Sequence, residues 1–119
     1  MKKTSKEWML KTLEKLGFTE IEAQVYVFLT TEGSRKAKDI AEAVNPHTQH
    51  LYSVLKKLQA KGVVNVSHEL PATFSAVLFE KVLDQLIKTK KEQQKALQES
   101  KKNLLSTWKF ITKKDTPKS

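Results

Sequence analysis

The segment from Gly33 to Val77 constrains the fold more than any other part of this chain. It predicts a short helix over about 37–44, a break at Asn45-Pro46-His47, and a second helix over about 48–61 that ends at Gly62. The runs VVNVSH and TFSAV alternate apolar and polar residues on either side of a turn that contains Pro71, which predicts two short strands. Helix, turn, helix and hairpin in this order indicate a winged helix-turn-helix.

Two more helices are predicted before this segment and one long helix after it. The first covers about 5–16 and ends at Gly17, and the second begins at about residue 20 with a capping box formed by Thr19 and Glu22. From Phe79 the chain has no Gly or Pro before Pro117, which predicts a helix over 79–112. The expected fold is mainly α with a small β-wing: a winged helix-turn-helix domain over 1–78, a long C-terminal helix over 79–112 and a disordered tail over 113–119.

The charge balance indicates an anionic partner. The chain has 22 basic and 13 acidic residues, and its formal net charge is +9. Arg35 is the only arginine, so most of the positive charge is lysine, which contacts phosphates as a point charge. Base reading would therefore fall to Gln, Asn, Ser, Thr or His side chains. Double-stranded DNA is the expected partner.

The helix predicted over about 48–61 is interpreted as a recognition helix in the DNA major groove. Leu51, Val54, Leu55 and Leu58 form its inward stripe, so the remaining side chains point outward. Tyr52 is expected to pack in the core; the alternative is a partly buried ring whose hydroxyl contacts a phosphate. The weakly charged wing is expected to touch the DNA backbone at most. The alternative is an ordinary solvated helix surface. The predicted DNA-binding residues are Thr48, Gln49, His50 and Ser53 near base edges, and Lys36, Lys38, Lys56 and Lys57 near phosphates.

Apolar residues recur at alternating steps of three and four along the long helix, as in a coiled coil. Lys90, Gln94 and Lys101 interrupt this stripe. We interpret the helix as a dimerisation element; the alternative is a basic helix that lies on DNA. A homodimer would place two recognition helices roughly 34 Å apart and read a pseudo-palindromic site. The predicted dimerisation residues are Trp8, Leu83, Ile87, Leu97, Leu104, Trp108 and Ile111.

Two runs of the sequence resemble the N-terminal DNA-binding domain of the TrmB family of archaeal transcriptional regulators. They are Leu16 to Tyr26 and Leu51 to Val64, within a similar region of about 10–79. The resemblance implies a winged helix that binds promoter DNA as a dimer, often in response to sugars. Lys36 stands where the family usually has a hydroxyl residue, and Asn45-Pro46-His47 where it often has Gly-Val-Pro. Because one helix follows the domain, we expect a short member, MarR-like in outline, without sugar sensing.

The sequence lacks the patterns of other function classes. It contains no nucleophile elbow, glycine-rich phosphate loop or paired carboxylates, so no enzyme activity, catalytic residue or cofactor is expected. It has no cysteine, and His47 and His50 form an isolated pair, so no metal site is expected. No apolar run is long enough to span a membrane, and a soluble cytoplasmic protein is expected.

The expected function is that of a DNA-binding transcriptional regulator. Two alternatives remain open, a winged-helix protein-interaction module and a non-specific architectural DNA binder, because a fold does not fix a function. A small-molecule effector also remains open, and no motif supports one.

Overall fold

The computed structural model describes residues 4–44 and 50–115, with side chains of the last helix described as far as residue 113. The predicted turn Asn45-Pro46-His47 lies outside the described residues, as do Thr48 and Gln49. The helices are α1 (Ser5–Lys15), α2 (Glu20–Glu32), α3 (Ala37–Val44), α4 (Leu51–Ala60) and α5 (Phe79–Asp115), and the strands are β1 (Arg35–Lys36), β2 (Val64–Val66) and β3 (Thr73–Ala76). The predicted fold class, mainly α with a small β-wing and a long C-terminal helix, is confirmed.

Side-chain caps define the first residues of α1 and α2. The Thr19 hydroxyl accepts a hydrogen bond from the Glu22 N–H at 3.1 Å, and Glu22 Oε1 accepts one from the Thr19 N–H at 2.9 Å, which confirms the predicted capping box. Thr4 and Glu7 form a second capping box, which was not predicted. Gly17 has a φ of 108°, as a residue that closes the preceding helix requires.

The core of the domain lies where α2, α3 and α4 meet the sheet. All four residues of the inward stripe predicted for α4 are buried, so that prediction is confirmed. Helical spacing predicts that α2 buries Ile21, Val25, Phe28 and Leu29. This prediction is partly wrong, because Val25 and Leu29 are buried but Ile21 and Phe28 are only half-buried. Ala23 and Tyr26 are buried on this helix instead.

The sheet has three antiparallel strands in the order β1-β3-β2, one more than the predicted hairpin. Val66 pairs with Phe74 in the hairpin, while Arg35 pairs with Phe74 and Lys36 with Thr73 on the other edge of β3. A strand of two residues is too short to show an alternating pattern, so periodicity could not reveal β1. The strand ends where α3 begins, and it therefore fixes the first turn of α3 against the wing.

The carboxylate of Glu22 links the end of α4 to the start of α2. Lys61 Nζ donates to Glu22 Oε1 at 2.7 Å, and Glu22 is only 2% exposed. The same ammonium lies 5.1 Å from the centre of the Phe18 ring, within the range of a cation–π interaction. Burial alone would raise the pKa of Glu22, but the hydrogen bonds from Lys61 and the Thr19 N–H, with the charges of Lys61 and Lys57, hold it below its usual value.

The first turn of α5 belongs to the core of the domain. Val82 is buried, and the ring centre of Phe79 lies 6.3 Å from that of Tyr26. The Tyr26 hydroxyl donates to the Val77 carbonyl at 2.7 Å, and burial raises the pKa of this hydroxyl. These contacts join α2 to the segment between β3 and α5.

The chain divides into two compact units, Met1–Leu83 and Asp84–Ser119. The second unit contains the rest of α5, whose 37 residues span roughly 55 Å at a rise of about 1.5 Å per residue. The helix continues to Asp115, past its predicted end at 112, and residues 116–119 of the predicted tail lie outside the described residues.

We expect Glu22→Gln to lower the free energy of unfolding at about pH 7 by roughly 1–2 kcal/mol, because it removes a charge-assisted hydrogen bond from a partner that is 40% exposed. The pKa of Glu22 is lowered in the folded state. The contribution of its charge is therefore present above the ordinary carboxyl value of 4.5 and is lost as the pH falls through the folded pKa. Urea unfolding at about pH 7 and at about pH 3 measures the unfolding free energy where the Glu22 charge contributes and where that contribution is being lost.

Glu20→Gln is the matched control, because Glu20 is an exposed carboxylate in the same turn. It should leave the unfolding free energy within about 0.5 kcal/mol of the parent. An equal loss of stability for Glu22→Gln at both pH values would contradict the assigned role of the Glu22 charge.

Candidate nucleic-acid interface

Helix α4 presents a polar surface on the side opposite its buried stripe. At about 3.6 residues per turn, Ser53 and Lys56 lie near the middle of this surface, Lys57 and His50 toward one edge, and Tyr52 toward the other. All five side chains are exposed. His50 occupies the N-cap position, and its side chain makes no capping hydrogen bond. Four of the residues predicted to contact DNA therefore share one accessible surface, and Thr48 and Gln49 lie outside the described residues.

An open depression of about 460 Å³ separates the outer side of α4 from the central strand of the sheet. Ser53 and Lys56 line it from the helix, and Phe74 lines it from β3. The depression places a hydroxyl and an ammonium group beside one another on a concave surface.

Tyr52 is more exposed than its residue type suggests. Its exposed fraction is 71%, so the prediction that it packs in the core is wrong. Leu51 and Leu55 occupy the buried side of the helix, and the rotation from Leu51 to the next residue carries Tyr52 out of the core. Tyr52 lines the depression beside Ser53 and also a second one next to it, so it belongs to the candidate interface.

The second depression, of about 370 Å³, brings Lys36 and Lys38 beside Tyr52. Lys36 is the last residue of β1 and Lys38 lies in the first turn of α3, and both are exposed. Pro71 and Ala72 of the wing also line it. The short strand β1 therefore positions two of the predicted phosphate-binding lysines next to α4.

Arg35 is held by its neighbours. Its Nη2 lies 3.8 Å from Glu32 Oε1, and its Nη1 donates to the Ser34 carbonyl at 2.7 Å. The only guanidinium of the chain is thus engaged beside an acidic side chain, and lysines supply the free positive charge near α4.

Lys56 and Lys57 differ in their surroundings although they are adjacent in the sequence. Lys56 lines the depression on the outer side of α4. Lys57 is close enough to Glu22 for its charge to lower the pKa of that carboxylate. Lys57 therefore lies toward the start of α2, at the edge of the surface rather than at its middle.

The turn of the wing is closed by hydrogen bonds and exposes an apolar tip. Ser67 N–H donates to the Thr73 carbonyl at 2.9 Å, and the Thr73 N–H donates to Ser67 Oγ at 2.9 Å. Leu70, at the tip, is 96% exposed, and Glu69 beside it carries the only charge of the turn. Residues 67–72 contain no lysine or arginine, and the extent to which the wing touches the DNA backbone stays a prediction.

The predicted dimerisation residues fall into both compact units. Ile87, Leu97, Leu104, Trp108 and Ile111 are exposed along α5, and Trp8 is exposed on α1, as a surface that binds a partner requires. Leu83 is half-buried in the first unit, which reduces the area it can offer to a partner.

Two classes of feature are missing from the described ranges 4–44 and 50–115. No group of three or more His, Cys, Asp or Glu residues there could hold a metal ion. No helix in the same ranges is long and apolar enough to cross a membrane.

Comparison with known proteins identifies the family. Residues 13–80, more than half of the chain, match the family described as sugar-specific transcriptional regulator TrmB. The HTH-type sugar sensing transcriptional regulator TrmBL1 of Pyrococcus furiosus is 36% identical over 98 residues, which cover 78% of this chain and 28% of that relative. The chain therefore spans little more than a quarter of the length of this relative.

Solved structures show the same fold at low sequence identity. TrmBL2, which is described as an archaeal chromatin protein with a novel mode of DNA binding, has a TM-score of 0.78 at 22% identity and covers 97% of this chain and 44% of its own. The transcriptional regulator Tm0710 from Thermotoga maritima has a TM-score of 0.55 at 16% identity, with 95% and 90% covered. The winged-helix fold and the family match over residues 13–80 lead to one conclusion: the chain belongs to the TrmB family of transcriptional regulators.

Proposed function

We propose that this protein is a DNA-binding transcriptional regulator that places α4 in the major groove of its target site. The observation that carries the proposal is the polar, exposed side of α4, which is flanked by Lys36 and Lys38 and lies opposite a fully buried stripe. A helix with side chains is about 10–12 Å wide and the major groove is about 12 Å wide, so an exposed helix of this kind fits the groove.

The proposed surface carries two kinds of side chain, neutral polar groups suited to base edges and lysines suited to phosphates. Ser53, with Thr48 and Gln49 of the predicted helix start, supplies hydroxyl and amide groups that can pair with base edges. Lys56, Lys36 and Lys38 supply point charges for phosphates, which set affinity and orientation without reading sequence.

We infer that the regulator acts as a homodimer through the apolar stripe of α5. Leu97, Leu104 and Trp108 are large apolar side chains left exposed at coiled-coil spacing, and a long amphipathic helix is stabilised when such a stripe is covered. A symmetric dimer presents two recognition helices, so its target would be a pseudo-palindromic site.

A non-specific architectural DNA binder is the second candidate. The near absence of arginine favours it, because lysine contributes affinity for phosphate but little base discrimination. The structural neighbour TrmBL2 is itself described as a chromatin protein. The two candidates differ in whether removing base-facing side chains changes the sequences that are bound.

We expect Lys56→Gln to weaken binding to every DNA sequence and to reduce the slope of log K against log salt by about 0.9, the contribution of one phosphate contact. Lys57→Gln is the matched control on the same helix, and we expect a smaller change because Lys57 lies near Glu22. Fluorescence anisotropy between about 50 and 200 mM salt measures both slopes. An unchanged slope for Lys56→Gln would remove Lys56 from the interface.

We expect the double variant Leu97→Gln with Leu104→Gln to convert the dimer to a monomer. A buried Leu contributes about 1.5–3 kcal/mol, so removal of four leucines per dimer should weaken association by several orders of magnitude. Sedimentation velocity at micromolar concentration gives the oligomeric state, and footprinting shows whether one half-site remains protected. Lys95→Gln with Lys102→Gln, off the stripe on the same helix, should stay dimeric. A parent protein that sediments as a monomer would contradict the dimer.

A further inference from the structure

Every seventh residue from 88 to 109 of α5 is a lysine. These four residues, Lys88, Lys95, Lys102 and Lys109, are all exposed, and we name them the lysine row. Seven residues make almost two helical turns, so each lysine lies nearly above the one before it, about 10.5 Å further along the axis. The row is therefore a nearly straight line of positive charge roughly 32 Å long.

The lysine row is separate from the apolar stripe of the same helix. At about 100° per residue, it lies more than a quarter of a turn around the helix from Trp108 and almost half a turn from Leu97 and Leu104. A partner that covers the apolar stripe therefore leaves the row in solvent. The same seven-residue period on both sides also supports a coiled-coil register for this part of α5.

Acidic side chains do not neutralise the row. Between residues 88 and 113 only Glu92 and Glu99 are acidic, against eight lysines. Each glutamate stands four residues after a lysine of the row, a spacing at which exposed pairs contribute only a few tenths of a kcal/mol. The ion pairs within 4.0 Å among the described residues involve Glu32 and Glu22, and neither lies on α5.

We propose that the lysine row is a second DNA-binding surface, which contacts the phosphate backbone and is independent of sequence. This proposal rests on the proposed function, because it assigns α5 a role in binding the same duplex class as α4. Lysine ammonium groups on flexible stems bind phosphates without base discrimination. The row is about as long as one turn of B-DNA, roughly 34 Å, so its charges can follow one duplex.

The row gives the protein an affinity that does not depend on the operator. Each phosphate that it neutralises releases counterions and steepens the dependence of binding on salt by about 0.9. Such contacts give the protein affinity for any duplex, since non-specific binding is largely electrostatic.

The test is a variant in which all four lysines of the row are replaced by glutamine. Its slope of log K against log salt on a long duplex of random sequence should fall by up to about 3.6, or about 0.9 for each phosphate that is no longer neutralised. Binding at about 50 mM salt should weaken strongly, whereas the order of preference among different sequences should not change. A second variant with arginine at the four positions should keep the parent slope, because it keeps the charge.

The control variant replaces four lysines elsewhere with glutamine, so the net charge changes equally. They are Lys6, Lys11 and Lys15, which are exposed on α1, and Lys3, which precedes α1 in the sequence. Circular dichroism and sedimentation check that all three variants keep their helices and their oligomeric state. Equal slopes for the row variant and the control, or an arginine variant whose slope falls below that of the parent, would overturn the lysine row as a DNA-binding surface. A parent protein that binds no duplex would instead overturn the proposed function.

Discussion

The proposed recognition surface depends on the division of α4 into two opposite sides. Four aliphatic side chains on one side are buried, and each contributes about 1.5–3 kcal/mol relative to exposure. These buried side chains attach the helix to α2 and the sheet, and its polar side takes no part in these contacts. Its C-terminal end is fixed separately, because Lys61 donates to the buried carboxylate of Glu22. The residues on the outer side are therefore available to bind a partner, because they are not needed to hold the helix in the fold.

In the proposed function, the use of lysine in place of arginine determines how the protein would contact DNA. Around α4, Lys36, Lys38 and Lys56 surround a small set of neutral polar groups, while the lone arginine is engaged by Glu32. Along α5, a lysine is repeated every seven residues from 88 to 109. Under the proposed function, affinity and sequence preference would rest on different residues, an arrangement that allows a protein to search DNA before it selects a site.

The parts of the fold that could be predicted from the sequence are those governed by local rules. The α4 stripe follows from helical periodicity, and the capping box of Thr19 and Glu22 from a four-residue pattern. Contacts between distant segments could not be predicted in this way. Lys61 and Glu22 are 39 residues apart, and β1 exists only because β3 provides a partner for its two residues.

The candidate interface could be predicted only in part for a related reason. Periodicity identifies the outward positions of α4, such as Ser53 and Lys56. For Tyr52, the apolar ring led to a prediction of core packing, whereas the side chain is exposed. The contacts with DNA and with a second subunit depend on partners, and they stay predictions. Family membership adds the class of function, while the chain covers only 28% of the sugar-sensing relative that it matches.

The most direct test of the account is selection of sheared genomic DNA by the purified protein at about 0.15 M ionic strength, followed by sequencing of the bound fragments. Sequence reading by two copies of α4 predicts enrichment of a short pseudo-palindromic site, and Ser53→Ala should change the enriched sequence. Uniform recovery of fragments, the same for the parent and for Ser53→Ala, would contradict a sequence-reading regulator and favour the architectural binder.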